Sequence, residues 1–172
     1  MSDDGLEPAD LSLDVIGPLA RDLATLEAVA RVMSDFGDAD IGGTGATLVD
    51  HGTPVHPAIA AAFARCVGDA VPVHLPWPAS RIRYAGFIHV VRAMANHLSD
   101  ADPALLSDRL RRLIAYGPRR SAAGWAEDQA ILQGVADTIR EFVAAHGFLI
   151  LPTTPNPPFA HADEEPASQA DL

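Results

Sequence analysis

The side chains with which this 172-residue chain could do chemistry are seven histidines, one cysteine, twelve basic residues and a large surplus of acids. Every basic residue is an arginine, and there is no lysine. A serine hydroxyl attacks an amide only when a neighbouring base takes its proton, and the permanently charged guanidinium of arginine cannot be that base. Chemistry that needs a lysine amine is therefore outside the means of these residues. The histidines are His51, His56, His74, His89, His97, His146 and His161. No two of them have the four-residue helical spacing that lets a pair grip one metal, so no metal site is expected. A Ser–His–Asp triad needs only spatial proximity and stays open, but no Gly-x-Ser-x-Gly elbow supports one.

Three further groups invite a chemical reading and are better read as structure. Gly42-Gly43-Thr44-Gly45 lacks the preceding strand, the following helix and the Gly-Lys-Ser/Thr of a phosphate loop, so a flexible connection is expected. Arg109, Arg111, Arg112, Arg119 and Arg120 form the only basic cluster; arginine forks onto carboxylate or phosphate, but a solvated helix face is the preferred reading. Cys66 falls on the apolar pattern Ile59, Ala62, Phe63, Cys66, Val67 and reads as a small buried hydrophobe.

The elements that must position these residues follow from periodicity and punctuation. Leu19, Leu23, Leu26, Val29, Ala30 and Met33 recur at helical steps behind Pro18. Ser34 to Gly45 reads as loop, and Ala46 to Val49 as a short strand. His56-Pro57 opens a helix to about Val67, followed by a strand over Val71 to Leu75 whose proline argues for an edge. Helices are expected from about Ser80 to Leu98, from Asp102-Pro103 through Ile114, and from Ser121 to His146-Gly147. Phe148 to Leu151 reads as a buried strand ended by Pro152. This order belongs to the α/β or α+β classes, and the expected fold is α/β, with a short mixed sheet, helices packed on it, and part of the sheet lying elsewhere.

Composition bounds what the chain can meet. With 48% apolar and 20% charged residues it resembles an ordinary globular domain. A net charge of −11 disfavours nucleic acid, which needs a basic surface. No uncharged run is long enough for a membrane helix, and the acidic start resembles no signal peptide, so a cytoplasmic protein is the default. Residues 1–11 read as an acidic tail, 12–160 as one domain, and 161–172 as an acidic, proline-containing tail.

Two segments are more specific than their composition. Ser12-Leu13-Asp14-Val15-Ile16-Gly17-Pro18-Leu19-Ala20-Arg21 leads into a helix, and Phe148-Leu149-Ile150-Leu151-Pro152-Thr153-Thr154-Pro155 comes much later, with a mainly helical stretch between. In this order they resemble the amidase signature family, with Thr53 to Ile59 and Val71 to Pro76 as weaker matches. The resemblance implies a partial amidase-signature-like fold from a family that hydrolyses carbon–nitrogen amide bonds without metal or organic cofactor. It also implies a lysine and two serines in a Gly/Ser-rich stretch ahead of Ser12, a pattern that the residues before Ser12 do not carry.

On that resemblance no residue here is catalytic. Asp14, Gly17, Pro18 and Arg21 match a motif beside the family's catalytic core, and Pro152, Thr153, Thr154 and Pro155 match a strand end that borders its pocket. For all eight a structural role is weighed equally, since proline and glycine shape turns and Asp caps helices. The expected protein is a fragment or truncated form of an amidase, inactive alone. The alternatives are a non-catalytic amidase-derived binding domain or complementing subunit, and an unrelated small α/β domain. Its expected partners are a separate N-terminal amidase half or further copies meeting through exposed sheet edges.

Overall fold

Caps decide where the helices begin. The computed structural model describes residues 17–33, 42–50, 52 and 54–157. In chain order these hold α1 (Leu23–Met33), β1 (Ala46–Leu48), α2 (Pro57–Cys66), β2 (Val71–Val73), α3 (Ala79–His97), a 3-10 turn at Pro103–Leu105, α4 (Asp108–Ile114), a second at Gly117–Arg119, α5 (Ala122–His146) and β3 (Leu149–Ile150). The periodicity of α1 starts at Leu19, but the helix starts at Leu23, because the Asp22 carboxylate accepts the Thr25 N–H at 2.8 Å and so ends the run. The helix expected from Asp102 to Ile114 is two pieces. Asp102 caps a 3-10 turn, and Ser107 takes the Leu110 N–H at 3.2 Å as a fresh cap for α4. Ser121 likewise caps α5 through Gly124 N–H.

Cα-contact patterns divide the chain into two compact units, Met1–Asp40 with Val90–Arg119, and Ile41–His89 with Arg120–Leu172. In the first, Val91 is fully buried and Gly117 packs on the Arg92 backbone, where a Cβ would meet Arg92 Cα at 2.7 Å. The α1 helix buries no residue among those described.

The second unit holds the sheet, ordered β2-β1-β3. Both pairings are parallel, with Ala46 opposite Val71 and Leu149, so the described strands form a parallel sheet and not the mixed one expected. Helical crossovers explain this: α2 joins β1 to β2, and the run from α3 to α5 joins β2 to β3, returning the chain in the same direction each time. Ala46, Leu48 and Val73 share one face and are buried with Leu75, Leu149 and Phe142 of α5. Ala85 of α3 and Ile131 and Val135 of α5 form a second cluster with Leu75, Trp77 and Ile82. Burying a Leu, Ile or Val side chain in these clusters contributes about 1.5–3 kcal/mol, and an alanine less. Thr47 points to the opposite face, and its hydroxyl is buried without a partner among the described residues.

The glycine run ahead of β1 is not the flexible connection its composition suggests. Gly45 N–H donates to the His146 carbonyl at 2.9 Å, and a Cβ on Gly43 would collide with that same oxygen. Gly147, at φ +88°, closes α5 and leaves no room for a Cβ beside the Gly42 carbonyl. Backbone therefore meets backbone here, which only glycine allows. We predict that Gly147→Ala lowers stability by at least about 2 kcal/mol in a urea melt, since strained φ and collision add. Gly68→Ala, at φ +53° with open space around it, should cost only about 1 kcal/mol.

Candidate functional site

Open parallel sheets bind ligands outside the carboxyl ends of their strands, where the strand order reverses. The chain leaves the central strand β1 for β2 on one side and returns as β3 on the other, so the reversal lies between β1 and β3. Beyond β1 comes Asp50, beyond β2 His74 and Leu75, and beyond β3 the run Pro152-Thr153-Thr154-Pro155.

Backbone and side-chain hydrogen bonds hold these exits together. The Pro155 carbonyl accepts the His56 N–H at 2.8 Å, which ties the turn after β3 to the start of α2. Inside that turn Thr154 Oγ1 donates to the Asn156 carbonyl at 2.9 Å. His56 itself caps α2, its Nδ1 accepting from Ala58 N–H. Asp50 accepts the Gly52 N–H at 2.8 Å with one oxygen and the Ala79 N–H at 2.9 Å with the other, so the exit of β1 caps α3. A cleft of about 260 Å³ opens beside it, lined by Asp50, His74, Leu75, Pro76, Trp77, Pro78 and Ala79. The Trp77 indole lies on Gly134 of α5, where a Cβ would meet the ring at 2.5 Å. The cleft is half open, with Trp77, His74 and the already bonded Asp50 carboxylate on its wall.

Behind the cleft a buried ion cluster fixes α3 against α5. Asp128 is fully buried, and Arg120 forks onto it with Nε–Oδ2 at 2.7 Å and Nη2–Oδ1 at 3.0 Å. Arg81 Nη2 reaches Asp128 Oδ1 at 2.7 Å and Glu127 Oε1 at 3.2 Å. Both guanidinium groups stand 5.5 Å from the centre of the Tyr84 ring. Burial pushes the Asp128 carboxyl up, but the hydrogen bonds and charges of Arg120 and Arg81 outweigh it and hold the group below its ordinary value. On the next turn of α3, His89 stacks on Trp125 at 5.7 Å, and its Nδ1 lies 3.1 Å from Gln129 Nε2.

The residues expected from sequence meet different fates. Pro152, Thr153, Thr154 and Pro155 lie together at the carboxyl end of β3. Gly17, Pro18 and Arg21 belong to the other compact unit; Gly17 has open space around it, and the 95% exposed Arg21 side chain pairs only loosely with Asp22 at 3.9 Å. Asp14 lies outside the described residues. The arginine cluster is not a uniform solvated face, because Arg120 is committed to Asp128 while Arg111 pairs with Asp108. Cys66 is exposed, not buried, because it ends a ten-residue helix that buries no residue. Among the described residues no group of His, Cys, Asp and Glu could hold a metal ion.

Sequence reasoning missed Asp50, Arg81, Tyr84 and Asp128. A signal for Asp128 existed, since it extends the buried stripe Ile131, Val135 of α5 by one turn, a place where a lone acid demands a partner. No protein-family model matches the chain, and no curated protein and no solved structure is significantly similar to it.

Asp128→Asn leaves two guanidinium groups facing a neutral amide, and should cost about 3 kcal/mol. Because the carboxyl is held below its unfolded value of about 3.9, its contribution is complete above that value and drains as pH falls through the lower folded one. Urea midpoints measured from pH 6 down to about pH 2 should therefore fall less steeply in Asp128→Asn than in the wild type. Asp50→Ala should cost about 1 kcal/mol by uncapping α3, read by the same melts.

Proposed function

We propose that this chain is an amidase-signature-related polypeptide that forms part of a pocket wall and does not hydrolyse amides by itself. One observation carries the reading: the Pro-Thr-Thr-Pro run that resembles the family's pocket border follows a parallel strand and sits at the reversal of strand order, where an α/β site belongs. The order of elements around it, with a mainly helical stretch between β2 and β3, is compatible with that family.

The roles follow from what the residues can do. Pro152 to Pro155, with the exit of the neighbouring strand β1 at Asp50, would shape the wall against which an amide lies. Removal of a serine proton would fall to a lysine outside these 172 residues, since they hold none. The described hydroxyls of Ser107 and Ser121 are engaged as helix caps and are unsuited to attack. No helix among the described residues is long and apolar enough to cross a membrane, and a cytoplasmic location accords with this reading. A second reading, a binding domain without chemistry, is favoured by α1, whose Leu23 and Val32 are 82% and 88% exposed.

The purified chain should release no aniline from a simple aryl amide above the uncatalysed rate. Mixed with a polypeptide bearing a lysine- and Gly/Ser-rich amidase segment, it should gain activity that falls when Thr153 and Thr154 are both changed to Ala. Turnover by the chain alone, abolished by changing one of its own serines such as Ser80→Ala, would overturn the reading. Stable complex formation with that polypeptide but no activity would favour the binding domain.

A further inference from the structure

We draw no further inference here: the strongest candidate, the exposed apolar face of α1 formed by Leu23, Val29 and Val32, carries nothing, because nothing in the structure shows what covers it.

Discussion

The second unit depends on one carboxylate. Asp128 has no exposed surface, and an isolated charge there would be intolerable, so Arg81 from α3 and Arg120 from the turn before α5 must both be in place. Replacing such a cluster by well-packed apolar groups is often neutral for stability, whereas removing one member is not. Its contribution is best understood as selection among packings. The register of α3 against α5 seen here satisfies all three groups, lets Trp77 lie on Gly134 and brings the cleft beside the exit of β2. The tyrosine between the two guanidinium groups limits how far either can swing.

Much of the secondary structure was legible because its punctuation is strong. Pro78 ahead of α3, Ser121 ahead of α5 and Gly147 behind it fix ends that periodicity alone would blur. The start of α1 and the break before α4 were not legible, because an apolar period continues across both points and only a side-chain cap interrupts it. Strand direction was hidden too. A three-residue strand carries no sign of its neighbour's orientation; the helical connections already read from sequence were the signal for a parallel sheet, and the expectation of a mixed one did not use it.

The site was legible in part. The Pro-Thr-Thr-Pro run drew notice as a strand end, and it does end a strand. Asp50 escaped because it caps a helix that begins 29 residues later, whereas capping signals in sequence are sought within a single turn. The glycines at 43 and 45 looked like slack in the chain because composition reports freedom and not use. Here that freedom is consumed in bringing the loop against the end of α5.

Pro72 has a meaning beyond its own strand. A sheet whose two sides both accept new strands can lengthen without limit, and such growth is how ordered aggregates begin. Among the described strands, the outward-facing residue of β2 is Pro72, which offers a carbonyl but no N–H, so a strand added on that flank would lack a ladder hydrogen bond. The imino acid thereby makes that flank a poorer template for a further strand than an ordinary residue would.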